Sequence, residues 1–411
     1  MKMRFGPNPS AGRLLVLGAL IACLAVGISA CGGSGSSSSS ETGSSSTSEE
    51  ASAGGGSPEE GATTASSGGS AEEGIKIAEE RVATALGPPE FKSPGPAFDM
   101  GKAMKGKTIW FIATSMELPY VDEVAKAFGE AVEYAGGKLQ IYDGKGETAV
   151  QAAGIEKAVA SGADLIWLQA VDPKIMQAQM AEAKAAGIPV IDSNSYEPGS
   201  KPLYGSWIHT GYSTEEQGTL GIDYAIAQNH GEFHALWVTA PFFTFFEQRQ
   251  KAMEAELEEL CPEKCSMTVQ KVEFTELAQT PLKVQSEITK DPSINVIIPS
   301  FELQVPYILQ AIKAAGKEGI EVQNTGGLPE EIKSLAEGTA EFVSTDPDYA
   351  PWDGWAATDL AGRALAGEAP QNPFESFPPI RLFTKESPPK TSGNRMETDF
   401  IGEYKKLWEG L

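Results

Sequence analysis

The sequence predicts an α/β protein built as two doubly wound parallel-sheet lobes in series. Three observations predict it. Short apolar runs alternate with longer stretches of helical spacing, the pattern of a parallel sheet with helices on both faces. The alternation breaks near His209–Tyr212 and then begins again. About 335 of the 411 residues have a composition that can fold, which suits two lobes rather than one.

The elements follow in order. A helical stretch, Ile75–Leu86, leads into a proline-rich strap at 87–96 and is expected to pack on the first lobe or to be partly ordered. Lys107–Ala113 is a buried strand, and Tyr120–Tyr134 is a helix ended by Gly136-Gly137. Lys138–Tyr142, Asp164–Gln169 and Ile188–Asp192 are strands. Glu147–Ala160 and Pro173–Ala186 are helices, the second with proline near its first turn. In the second series, strands fall at Phe233–Thr239, Met267–Val272, Asn295–Pro299, Glu321–Asn324 and Glu341–Ser344. Helices fall at Thr214–Asn229, Phe246–Leu260, Leu282–Thr289, Val305–Ala315 and Glu330–Glu337. A helix at Pro351–Leu365, an extended Phe377–Phe383 and an amphipathic Thr398–Trp408 close the chain; Trp352 and Trp355 read as core.

The N-terminus carries a different signal. Lys2, Arg4 and Arg13 flank an apolar run, Leu14–Ile28, too short for an ordinary membrane span. Small residues then precede Cys31. The segment resembles a bacterial lipoprotein signal, which implies cleavage before Cys31 and a diacylglycerol on its sulfur. Residues 32–74 are almost wholly Gly, Ser, Thr, Ala and Glu. Such a stretch buries too little apolar surface to offset chain entropy and reads as a flexible tether. The chain thus divides into a signal at 1–30, an anchor and linker at 31–74, and a helix and strap at 75–105. A first lobe at 106–210, completed by part of 346–411, and a second lobe at 211–345 follow.

The net charge of −24 argues against nucleic acid and against docking on anionic lipid by surface charge. Of four cysteines, Cys23 leaves with the signal and Cys31 takes the lipid. Cys261 and Cys265 remain, and outside the cytoplasm such a pair reads as a disulfide. His209, His230 and His234 lack metal-ligand spacing, and Asp346-Pro-Asp348 lacks the rest of a calcium loop. Gly95–Lys102 has the wrong spacing for a phosphate loop, and no Gly-x-Ser-x-Gly elbow is present. No metal, no cofactor and no catalysis are expected.

A set of landmarks in order carries a family resemblance: Leu118-Pro-Tyr120, Ala163–Pro173 and Lys184–Asp192, then Asp291–Ile298, Leu309–Gly316, Gly326-Gly327 and Asp346-Pro347. The chain resembles the ribose-binding group of type I periplasmic binding proteins over about residues 106–367. That resemblance implies lobes joined by a three-strand hinge, and a small solute held between them at the carboxyl ends of the strands. It further implies hinge closure and delivery to an ABC permease. A lipid-anchored monomer on the outer face of the cell envelope fits that task, as does a sensor partner of the same fold.

Residues just past strand ends are the binding candidates. The first lobe offers Glu117, Tyr120, Asp192, Ser193 and Asn194. The second offers Phe242, Phe243, Phe246, Glu247, Phe301, Glu302 and Gly326, with Thr345 and Asp346 at the hinge. The sequence departs from the family's sugar pattern. Asp192-Ser193 stands where that pattern has Asp-Arg, Glu247 where it has a ligand-facing arginine, and Ser300-Phe301 where it has Asn-Asp. Gly326 replaces an aspartate and Thr345 a glutamine, while Arg249 matches a second family arginine, usually structural. Aromatic faces and carboxylates remain, a set that suits a sugar by family analogy and also suits an aromatic ring or an amine.

Overall fold

The computed structural model describes residues 71–347, 349–375, 377–390 and 396–411. The expected signal, Cys31, the linker as far as residue 70, and Asp348 lie outside the described residues.

Two helices, α1 (Ala71–Ala85) and α2 (Met100–Met104), precede the first sheet. That sheet comprises β1 (Thr108–Ala113), β2 (Lys138–Asp143), β3 (Leu165–Gln169), β4 (Val190–Ser193) and β5 (Ile208–Thr210). Its strands are all parallel, in the order β2-β1-β3-β4-β5. The crossovers are α3 (Pro119–Tyr134), α4 (Thr148–Ala160) and α5 (Gln177–Ala185). β5 lies where the sequence pattern shows only a break, because three residues are too few to set a period.

After α6 (Thr214–Gln228) the same winding repeats. The second sheet contains β6 (Phe233–Thr239), β7 (Cys265–Lys271), β8 (Val296–Pro299), β9 (Glu321–Asn324), β10 (Ser344–Thr345) and β11 (Phe383–Thr384). Its order is β7-β6-β8-β9-β10-β11, parallel except for the antiparallel edge strand β11. The helices are α7 (Thr244–Leu260), α8 (Thr280–Lys290), α9 (Val305–Ala315), α10 (Pro329–Ala336), α11 (Ala350–Ala366) and α12 (Phe400–Leu407). A Cys261–Cys265 disulfide joins the end of α7 to the start of β7.

The chain passes between the sheets after β5, after β10 and after α11. It crosses again in the strap after α1 and in the return after β11. In the first lobe, Phe111 and Phe128 each meet Trp167 edge to face in the core, and α11 packs along α3. Trp352 and Trp355 are buried there, and Trp355 stacks on Trp408 beyond α12.

The N-terminal helix departs from expectation in two ways. It is already helical at Ala71, the first described residue and four before the expected start. It packs on the second lobe, against α6 and α7, rather than on the first. Ala78 and Val82 are one turn apart and bury there, while Arg81 bonds to the carboxylate of Glu256 on α7 and pairs with Asp223 on α6 at 3.6 Å. The strap then reaches the first lobe, where Phe98 bridges to Trp408.

The α3–α11 contact depends on a small residue. A Cβ at Gly354 would lie 2.5 Å from the backbone nitrogen of Phe128 and 2.7 Å from Ala127 Cβ. Gly354→Val is expected to cost roughly 1–3 kcal/mol through overpacking, read as a lower urea midpoint at unchanged m-value.

Candidate ligand-binding site

In both sheets the strand order reverses at the first strand, β1 beside β3 and β6 beside β8. Crevices form at the carboxyl ends of such strands. The two crevices face each other and enclose about 560 Å³ of empty space, counting the open mouth. The first lobe contributes Leu118, Tyr120 and Val121 after β1, Gln169 and Ala170 at the end of β3, Asn194 after β4 and Tyr212 after β5. The second contributes Gln217, Phe243, Phe245, Phe246 and Arg249, with Ser300, Phe301 and Glu302 after β8 and Thr325 and Gly326 after β9. The lobes touch at one rim, where Gln248 Nε2 donates to Ser195 O at 2.9 Å and Thr244 Oγ1 to Asp172 at 3.4 Å.

Seven sequence candidates therefore line one cleft: Tyr120, Asn194, Phe243, Phe246, Phe301, Glu302 and Gly326. Seven do not. Glu117 is exposed outside it. Asp192 is fully buried because its carboxylate receives His209 Nδ1–H at 2.8 Å. His209 Nε2 in turn accepts from Leu203 N–H, which assigns the tautomer and pins the loop before β5. Ser193 points into the core against Trp167 and Gln169. Phe242 is 42% exposed and packs on Phe274 outside the cleft. Glu247 is exposed on α7 and pairs with Lys251 one turn on. Thr345 and Asp346 are buried behind the lining.

The sequence reading missed Leu118, Val121, Gln169, Ala170, Tyr212, Gln217, Phe245 and Thr325 as lining residues. It left Arg249 as structural and named Ser300 only as a departure. The last residue of β3 was the available signal for Gln169, since β3 lies beside the switch point.

Aromatic rings dominate the second lobe's wall. α7 starts at Thr244, two residues before the expected start, so Phe245 and Phe246 occupy its first turn and face inward. Phe246 and Phe301 lie nearly parallel, with centroids 6.0 Å apart. Phe243 meets Phe246 edge to face at 5.5 Å. Gly326 has φ +104°, and a Cβ there would lie 2.6 Å from Glu302 Oε2, so only glycine lets that carboxylate lie over the turn.

Arg249 joins this wall to the hinge. Its guanidinium reaches Ser300 O at 3.3 Å and Asp346 Oδ2 at 3.4 Å, and it lies over the Trp237 ring. Burial pushes the Asp346 carboxyl up to about 7, with the Arg249 charge opposing the shift. Burial likewise pushes Asp353 up to about 7, although Tyr120 donates its hydroxyl to it at 2.8 Å. No group of three or more His, Cys, Asp or Glu among the described residues could hold a metal ion.

A family model described as periplasmic binding protein domain matches residues 109–369. The chain belongs to the periplasmic binding protein family. Solved structures of similar fold include an ABC sugar transporter subunit from Rhodobacter sphaeroides, at 20% identity and TM-score 0.61, covering 69% of this chain and 99% of that one. An ABC transporter solute-binding protein from Agrobacterium vitis with bound allitol gives 18% identity and TM-score 0.61, covering 69% and 97%. A periplasmic ribose ABC transporter protein from Conexibacter woesei gives 20% and 0.59, covering 69% and 94%. No curated protein matches the sequence. As a periplasmic binding protein of the type I group, the chain has the two-lobed fold, a solute-binding role and an extracytoplasmic setting.

The two raised carboxyls set a pH dependence. In the unfolded chain they ionise near pH 4; in the folded chain they hold their protons to about pH 7. Between those values the folded state binds the extra protons, so their contribution to stability is full below about pH 4 and falls as pH rises toward 7. The slope is at most about 1.4 kcal/mol per pH unit for each group. The melting temperature is expected to drop from pH 5 to pH 7.5. Asp353→Asn, which keeps an acceptor for Tyr120, is expected to flatten part of that slope.

Proposed function

We propose that this chain is the lipid-anchored receptor of an ABC importer, and that it captures a small cyclic solute, sugar-like in size, by closing its lobes. The observation that carries this reading is the cleft itself, with lining residues from the strand ends of both lobes. A solute held there contacts both lobes at once, so its binding energy favours the closed arrangement. The similar structures were solved as sugar transporter subunits or with polyols and sugars, including allitol, D-arabinose and D-allose. Their chemistry supports a sugar-class ligand.

The lipid on Cys31 and the Gly/Ser tether keep the receptor near its permease while leaving it free to reorient. The receptor acts as a monomer, without catalysis or cofactor, and hands its solute to a membrane permease. A second reading, a receptor for an aromatic or amine solute, is favoured by Phe243, Phe245, Phe246 and Phe301 on one wall.

The function-defining residues are those brought together at the cleft: Tyr120, Asn194, Phe243, Phe246, Phe301, Glu302 and Gly326. Full-length protein in detergent, screened by thermal shift against sugars, cyclitols, nucleosides, amines and small aromatic acids, is expected to gain stability with one class. A ligand at a hundred times its Kd adds about 2.7 kcal/mol. The same ligand is expected to shorten the distance between labels at the exposed positions Ile175 and Leu282, one on each lobe. Binding with no change in that distance would refute closure. Phe246→Ala is expected to weaken binding about tenfold or more. Cys31→Ser is expected to release the chain from membranes.

A further inference from the structure

Gln169 ends β3 at the switch point of the first lobe, lines the cleft and is fully buried. Its Nε2 has no hydrogen-bond partner among the described residues, an expensive state for a buried donor unless something else meets it. The amide is held in place from behind. Trp167 Nε1–H, which can only donate, reaches Ser193 Oγ at 3.0 Å. Ser193 in turn gives its own proton to Gln169 Oε1. This relay from Trp167 through Ser193 fixes the amide oxygen toward the core and leaves the Nε2 hydrogens unspent.

Two more buried lining atoms are unpartnered: Arg249 Nε, a donor, and Asn194 Oδ1, an acceptor. The rings of Phe243, Phe246 and Phe301 lie on the second lobe's wall with Arg249, across the cleft from Gln169 and Asn194 on the first. Ser300, Glu302 and Thr325 add polar groups to the second lobe's lining, and the phenylalanine faces offer flat apolar surface.

We propose that Gln169 is a specificity-determining residue, its Nε2–H donating to an acceptor oxygen on the edge of a ring whose faces are apolar. Ser193 and Trp167 are positioning residues for that donor. The proposal rests on the receptor reading above. Two solute sources share this chemistry: a pyranose or cyclitol, with apolar ring faces and hydroxyl oxygens at the edge, and an aromatic ring bearing a carboxylate or carbonyl.

The test is titration calorimetry on the full-length chain in detergent, unfolded and refolded first to strip any retained solute. D-Allose, D-ribose and myo-inositol form one arm; 4-hydroxybenzoate and 4-hydroxybenzaldehyde form the other, with phenol as the analogue lacking the carbonyl oxygen. One arm is expected to bind, which identifies the source. For the binding probe, Gln169→Leu is expected to weaken affinity roughly ten- to hundredfold, and Gln169→Glu, similar in size but without the donor, at least as much. Ser193→Ala, which frees the amide to rotate, is expected to lose about three- to tenfold. If the aromatic arm binds, phenol is expected to bind wild type and Gln169→Leu equally, a result that a merely structural role for Gln169 would not give. Circular dichroism melts check that each variant folds, and Ser193→Ala carries the test if the Gln169 variants do not. A bound probe whose affinity is unchanged in the folded variants overturns the Gln169 assignment alone. Failure of every probe in both arms overturns the solute class. Failure of the wider thermal-shift screen as well overturns the receptor reading.

Discussion

Arg249 is the constraint on which the second lobe's half of the cleft depends. A guanidinium cannot shed its charge, so burying it demands partners. It finds them on two elements that are distant in sequence: Ser300 O, at the end of β8, and Asp346, where the chain leaves β10 for the first lobe. Gln217 adds a second tie by donating to Asp346 O at 2.9 Å. The cleft-lining loop after β8 and the crossing at Asp346 are therefore held by one side chain, which itself lines the cleft.

The first lobe has a comparable device with a neutral partner. Tyr120 reaches from the start of α3 to Asp353 in the first turn of α11, and its ring meets Tyr212 edge to face at 5.9 Å. Both tyrosines line the cleft, and α11 is the helix that receives the chain as it returns from the second lobe. Each lobe thus couples a cleft side chain to a buried carboxyl near a crossing. The carboxyls are raised because burial removes their water, and one hydrogen bond or one nearby charge does not restore it.

The N-terminal helix adds a connection that alternation of strands and helices would not suggest. α1 is fastened to the second lobe by Arg81, Asp223 and Glu256, while the strap that follows is fastened to the first. There, Arg363 donates to Pro96 O and Asn372 N–H to Pro94 O. The segment formed by α1 and the strap consequently touches both lobes. The prolines of the strap limit the backbone angles available to it.

Sequence alone determined the winding of both lobes. Apolar periodicity and glycine stops are local signals, and a parallel sheet needs little more than their order to be recognised. The place of the cleft followed from the same rule, because residues past strand ends near a switch point face the crevice in every open sheet of this kind; Tyr120, Phe246 and Phe301 were legible for that reason. Which strand-end side chains turn inward was decided by tertiary structure. Asp192 sits at a strand end as required, yet His209, seventeen residues on, claims its carboxylate. Glu247 and Phe242 flank inward-facing phenylalanines, but the phase of α7 and the packing of Phe274 turn them outward. Gln169 looked like a buried strand residue until Trp167 and Ser193 fixed its amide with the donor left over. Hydrogen-bond partners far apart in the chain settle such orientations, and no local pattern encodes them.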